Sequence, residues 1–415
     1  MKHPVAWFCC LLLLSVAGVC PAQEWTRFRG PNGAGQSEAK FPAEFSERDL
    51  TWKVSLPGAG HSSPVLWGKQ IFLTSAEAEQ GRRWLLSLKA SDGSLLWKKE
   101  FPFHTYHVNA QNGFATGTPT VDADRVYCTW ATPEQYFAAA FDHQGKELWR
   151  VELGPFPSEH GYGASPMLYQ DLLIVTNDQD GNSSLQALDC KDGSVRWRIP
   201  RQQHLPDKNS SYSVPCIYQP PKGPAELIHN SWAHGITSLD PLTGATNWEL
   251  PVFERRTVSS PIIVDGLILG SCGEGGGKNT MVAVRPGVKN GRSPELVYKL
   301  DKTYAAYVPT MVNAGNLVFL WGDRGIVTCI DGPTGKLHWR ERVGGNFSGS
   351  PVRAADKIFC VSADGEVVAL AASDQFKVLG RSPLNETCRS TPAIVGNRMY
   401  LRTESHLLCL PGSAK

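Results

Sequence analysis

Apolar residues in this chain come in short runs, and each run is closed by Gly, Asp, Asn or Pro. Runs of this length between turn formers predict β-hairpins rather than helices. The pattern is complete from Pro166 to Ile199. Pro166-Met167-Leu168-Tyr169 is followed by a turn at Gln170-Asp171 and a strand from Leu172 to Thr176. A turn over 177–182, a strand from Ser183 to Leu188, a turn at Lys191-Asp192-Gly193 and a strand from Val195 to Ile199 complete the unit. Four antiparallel strands therefore follow one another in a single sheet.

Three series repeat that unit along the chain. Tryptophan recurs at Trp52, Trp97, Trp149, Trp197, Trp248 and Trp339, with spacings of 45, 52, 48 and 51, then 91, which is two periods. The skipped place falls at Val297-Tyr298. A small or β-branched residue precedes Pro64, Pro119, Pro166, Pro215, Pro261, Pro309, Pro351 and Pro392. A small residue before an apolar one recurs at Ser87, Ala140, Ala187, Ser238, Ala283, Cys329, Ala369 and Cys409. A shared period in three independent series marks a repeat architecture, and four-stranded units repeated radially make a β-propeller. The last unit supplies only three strands, and the missing one stands at the other end, in 49–56. The expectation is an all-β, eight-bladed propeller of four-stranded antiparallel blades. The N-terminal strand (49–56) pairs into the C-terminal blade and closes the ring. Residues 51–410 then provide 360 residues, or 45 per blade.

Composition agrees and removes alternatives. With 40 Gly and 29 Pro in 415 residues, long helices are excluded. The length alone would suggest two or three domains; the repeat resolves it into one propeller over 49–410, with an arm at 23–48 and a tail at 411–415. A net charge of +2 selects neither nucleic acid nor an acidic surface as partner. A basic start, an apolar run from Val5 to Val19 and Cys20-Pro21-Ala22 read as a secretory signal over 1–22, cleaved after Ala22. The expected location is thus exported, periplasmic or extracellular. Acylation of Cys20 is the rival reading, weakened by Val19 at the preceding position. No other apolar stretch reaches the roughly 20 residues of a membrane span.

Eight cysteines remain after the signal, at positions 128, 190, 216, 272, 329, 360, 388 and 409. An even count in an exported chain invites pairing. Against it, Cys329 and Cys409 occupy the small-residue position of non-adjacent blades, and Cys128 and Cys360 lie on equivalent strands. Buried free thiols are expected.

Three units carry a fuller motif. They read Ala187-Leu-Asp189 to Gly193 and Trp197, Ser238-Leu-Asp240 to Gly244 and Trp248, and Cys329-Ile-Asp331 to Gly335 and Trp339. This resembles the Trp-docking repeat, A-x-D-x-x-T-G-x-x-x-W, of pyrroloquinoline-quinone (PQQ)-like propellers. The resemblance implies one of two functions. Relatives of one kind are PQQ-dependent quinoprotein dehydrogenases with PQQ and Ca²⁺ on the axis. Those of the alcohol-oxidising type stack PQQ between a Trp and a vicinal Cys-Cys disulfide and supply Glu, Asn and Asp around calcium. The other kind is similar to the propeller lipoprotein of the outer-membrane β-barrel assembly machinery, a cofactor-free scaffold. No Cys-Cys follows the signal here, and Asp178, Asp180, Asp323 and Asp364 fall in Asp/Gly-rich hairpins that predict turn formation. The expectation is a non-catalytic, monomeric binding or assembly scaffold without cofactor or metal, its partner an envelope or extracellular protein.

Polar residues cluster on one face. The fourth-to-first and second-to-third connections of a propeller emerge together, and they carry His61, His104, His107, His160, His204, His234 and His406. The same connections bring Tyr162, Tyr212, Tyr307, Arg256, Arg324, Arg389 and Arg402. His61, Tyr212 and Arg389 each stand three residues before their blade's Pro, which predicts positions at the funnel mouth. Such a rim would take an anionic small molecule, a glycan or an acidic peptide. No pair shows metal-ligand spacing. The Gly-rich segment 273–279 lacks a following helix and reads as a hairpin rather than a phosphate cradle. Trp25-Thr26-Arg27-Phe28-Arg29 and the Pro31-Asn32-Gly33 turn predict a docked arm, because Trp and Phe prefer burial.

Overall fold

The computed structural model describes residues 24–201, 210–275 and 277–413. The signal over 1–22 and His204 lie outside the described residues. Eight sheets radiate from one axis, the innermost strand of each coming first in sequence. Blades one to seven span 65–102, 120–154, 167–201, 216–250, 262–300, 312–342 and 352–383. The eighth combines 393–411 with Trp52–Ser55, which pairs antiparallel with His406–Pro411, so the terminal strand does close the ring.

The small-residue series has a local cause. Ser87, Ala140, Ala187, Ser238, Cys329 and Cys409 are the cross-strand partners of Trp97, Trp149, Trp197, Trp248, Trp339 and Trp52, and Ala283 is that of Tyr298. A bulky residue opposite would push each ring away from the neighbouring blade. The rings dock forward on the next blade's last turn. A Cβ on Gly93, Gly145, Gly193 or Gly244 would lie 2.7–2.8 Å from the ring of Trp52, Trp97, Trp149 or Trp197. The indole N–H groups of Trp97, Trp149 and Trp197 reach the backbone oxygens of His143, Cys190 and Pro241. Tyr298 fills the skipped place in the same way, against Gly335 and the oxygen of Gly332. Blade seven has Gly380 instead, and the arm at Ala43-Glu44 lies on it. All eight described cysteines are free and buried.

At the axis the residues before the prolines form a girdle. Ser63 N donates to Thr118 Oγ1, Thr118 N to Ser165 Oγ, and Val214 N to Ser260 Oγ, all at 2.9–3.0 Å. Ser260 N donates to Thr310 Oγ1, Thr310 N to Ser350 Oγ, Ser350 N to Thr391 Oγ1, and Thr391 N back to Ser63 Oγ, again at 2.9–3.0 Å. Blade six departs from the sequence expectation: its girdle residue is Thr310, followed by Met311, and Pro309 lies one residue too early. Val214 alone has no hydroxyl, so the link from Ser165 is missing. Val214→Thr should restore it and raise stability by about 0.5–1.5 kcal/mol, since the new hydroxyl would find a waiting amide. A lower urea midpoint for this variant would show the gap to be filled otherwise.

The arm crosses the far end of the axis. Leu66 N and Val121 N donate to the oxygens of Trp25 and Thr26. Arg27 reaches Met167 Sδ at 3.3 Å and the Pro215 oxygen at 2.6 Å. Arg29 donates to the oxygens of Thr310, Met311 and Pro351 at 2.7–3.3 Å, and Gln36–Ser37 adds a parallel strand to blade seven. Six blades are thereby tied to one segment. Burial holds the Arg29 guanidinium down to about 9.

Candidate functional site

Above the girdle, an axial cavity of about 340 Å³ is lined by the loops that lead into the innermost strands. Of the residues predicted for the rim, His61, Tyr212, Arg256, Tyr307 and Arg389 line it, and His160 joins them. Phe28 of the arm also reaches its lining. Arg324 lines an adjoining cavity of about 320 Å³ that shares Tyr307 and Arg389.

The other candidates sit elsewhere, each for a structural reason. Arg402 is 1 % exposed and donates to the Ser62 backbone oxygen, Ser62 Oγ and the Thr74 oxygen, so it braces the loop behind His61. Tyr162 is buried between blades two and three, its hydroxyl 2.5 Å from Thr129 Oγ1. His234 pairs with Glu249 at 3.1 Å, and His406 with Glu386 at 2.8 Å. His104 and His107 are exposed on the loop from blade one to blade two, outside the cavity. Of the acids read as turn formers, Asp178 is instead a buried partner of His229 at 2.6 Å. The loop over 103–118 supplies groups that sequence reasoning missed, among them Asn109, Gln111, Asn112 and Thr116. Asn112 ties the loop down, donating to the His160 oxygen at 2.7 Å and accepting from Thr116 Oγ1 at 2.6 Å.

Charge in the cavity has one sign. Arg256 is 8 % exposed and donates from Nη1 to His160 Nε2 at 2.5 Å; its nearest carboxylate, Glu159, stands at 3.7 Å. The His160 pKa is lowered by burial and then by Arg256, which favours the neutral ring that can accept this bond. Burial, with Arg402 and Arg389 adding to it, pushes His61 down to about 3, so its imidazole is neutral. Arg389 has no ion-pair partner among the described residues; its guanidinium reaches Ser348 Oγ at 3.5 Å.

Asp323, in the wall of the adjoining cavity, accepts the Val308 amide at 2.9 Å. Burial outweighs that bond and pushes its carboxyl up to about 6. The native state then holds this proton more tightly than the unfolded chain. Stability falls as pH rises from the ordinary value of 3.8 to about 6, and is level beyond. Asp323→Asn keeps an oxygen for Val308. It should raise the urea midpoint at about pH 7.5 and leave it unchanged at about pH 3.5.

The donor set does not suit PQQ and calcium. Calcium takes about 6–8 oxygen ligands, carboxylates prominent among them. The axial cavity is lined by no Asp, Glu, Cys or Trp. No group of three or more His, Cys, Asp or Glu that could hold a metal occurs among the described residues.

The radial repeat, forward-docked tryptophans and closed ring define a PQQ-like β-propeller. The family model described as outer membrane protein assembly factor BamB matches residues 44–152, 87–293 and 299–410, and the chain belongs to that family. A comparison with curated proteins found no match. Among solved structures, BamB from Moraxella catarrhalis is 17 % identical with a TM-score of 0.63, covering 86 % of this chain and 98 % of its own. A europium-containing methanol dehydrogenase is 12 % identical with a TM-score of 0.67, covering 92 % of this chain and 90 % of its own. Quinohemoprotein alcohol dehydrogenase from Comamonas testosteroni is 13 % identical with a TM-score of 0.62, covering 95 % and 81 % respectively. At such identities the likeness establishes a common ring, and BamB and the alcohol dehydrogenases share it.

Proposed function

We propose that this chain is a non-catalytic binding propeller exported to the cell envelope, where it holds a partner protein as an assembly scaffold. The observation that carries this reading is the composition of the axial cavity. It offers arginines, hydroxyls and amides, with no carboxylate, thiol or indole of the kind that quinoprotein chemistry requires. Membership in a family described as an assembly factor supports the same reading. The face that carries the cavity also carries the exposed loop with His104 and His107, a surface suited to a partner chain.

Two measurements test it. Mature protein incubated with PQQ and Ca²⁺ should reduce no artificial dye above a heat-denatured control when given primary alcohols. A photo-crosslinker at His107 should yield a discrete adduct with an envelope protein, whereas one at Lys191, on the opposite face, should not. PQQ-dependent dye reduction would overturn the proposal in favour of a dehydrogenase.

A further inference from the structure

The hydroxyl girdle does more than hold blades together. Ser63, Thr118, Ser165, Thr310, Ser350 and Thr391 all line the axial cavity. Each oxygen accepts one amide hydrogen from a neighbouring blade. A hydroxyl that accepts still has its own O–H to give. Among the described residues none of these six donates to the protein, so a crown of O–H groups is available to the axis.

The charged groups add to the same polarity. Arg389 lacks a carboxylate partner among the described residues, and its one hydrogen bond is long, 3.5 Å. Arg256 is fixed from behind by His160 and leaves its Nε buried and unpartnered. His61 Nδ1 is likewise buried without a partner. No carboxylate faces them in the cavity. A cation would find no counter-charge here. An anion would meet donors on several sides and would compete there with one ion pair, that of Arg256 with the exposed Glu159 at 3.7 Å. Arg389 offers a guanidinium with no carboxylate to displace among the described residues, and hydrogen bonds to a charged acceptor are the stronger kind.

We infer that the axial cavity binds a small oxyanion. Its carboxylate or phosphate is held by Arg256 and Arg389, and its remaining oxygens take the hydroxyl crown. At about 340 Å³ the cavity lies near the lower end of the roughly 300–1,000 Å³ range of small-molecule sites, which sets the scale at a hexose phosphate or a tricarboxylate. The inference rests on the non-catalytic binding reading and specifies its ligand class.

Calorimetric titration of the mature protein with citrate, with glucose 6-phosphate and with glucose tests this directly. Binding of either anion, absent for glucose and weakening as salt is added, is the expected result; which anion binds separates a carboxylate from a phosphate ligand. Arg389→Gln should weaken that binding at least about tenfold. Arg324→Gln, in the adjoining cavity, should leave it unchanged, and both variants should melt like the parent when unliganded. Arg389→Lys keeps the charge without the planar fork and should bind with intermediate affinity; it carries the comparison if the glutamine variant does not fold. Failure of both anions to bind, equal binding of glucose, or undiminished binding by the Arg389 variants would overturn the inference. Those failures leave the dye-reduction result untouched, so the loss of this inference and the loss of the scaffold reading are distinguishable.

Discussion

Arg29→Ala should lower stability by about 3–5 kcal/mol, the largest loss expected from any side chain of the arm. The guanidinium is fully buried and its Nη atoms donate to carbonyl oxygens of blades six and seven, while Nε holds the Gly33 oxygen of the arm's own turn. Truncation leaves those oxygens desolvated without donors, and the lost bonds are charge-assisted. The variant also opens the space that fixes Gly35, where a Cβ would come within 2.6 Å of Arg29 Nη2. Urea unfolding provides the measurement, with the midpoint falling at constant slope. Glu38→Ala is the control from the same arm. It removes an exposed ion pair to Arg353 and should stay within about 0.5 kcal/mol. Equal effects of the two substitutions would mean that the arm is dispensable to the ring.

A comparable loss, about 3–5 kcal/mol, is expected for Trp197→Ala. The ring is buried between its own blade and the turn at Gly244, and its indole N–H bonds the Pro241 oxygen at 3.1 Å. Gly244→Ala attacks the same joint from the other side. Its Cβ would stand 2.7 Å from Trp197, and the residue sits at a φ of 73°, in the left-handed region. The steric part should amount to about 1–3 kcal/mol and the conformational part to about 1–2 kcal/mol. In the double variant the ring is gone and only the conformational part remains. The combined loss should then be smaller than the sum of the single losses by about 1–3 kcal/mol. Strict additivity would show that ring and turn are not in contact.

The ring was legible in the sequence because each of its parts recurs. Trp52, Trp149 and Trp197 meet turns of one design, at Gly93, Gly193 and Gly244, and the small residue opposite each ring is required wherever the ring is. Blade six shows the limit of a marker taken alone. Pro309 keeps the period to within a residue, yet the hydroxyl that bonds across blades belongs to Thr310. The rim was legible where backbone geometry repeats, at His61, Tyr212 and Arg389, each three residues before its blade's proline. Arg402, Tyr162 and His406 are positions of another kind. They stand near the same connections in sequence, but packing turned them towards Ser62, Thr129 and Glu386. No periodic signal marks Asn112 or Gln111, because the loops that lead into the innermost strands differ in length from blade to blade.

Closure by the strand Trp52–Ser55 has a kinetic side. Trp52 pairs with Cys409, so the last joint waits for residues at opposite ends of the polypeptide to meet. Contacts this distant in sequence form late, after most loop entropy has been lost. Until then seven finished blades stand as an open arc with two unpaired strand edges, the kind of surface that recruits other chains. The arm, which touches blades one to four and six to seven at once, can settle only when that arc has curved nearly full circle. Refolding should therefore show a slow final phase whose yield falls with protein concentration, and a helper that shields open edges would act on this step alone.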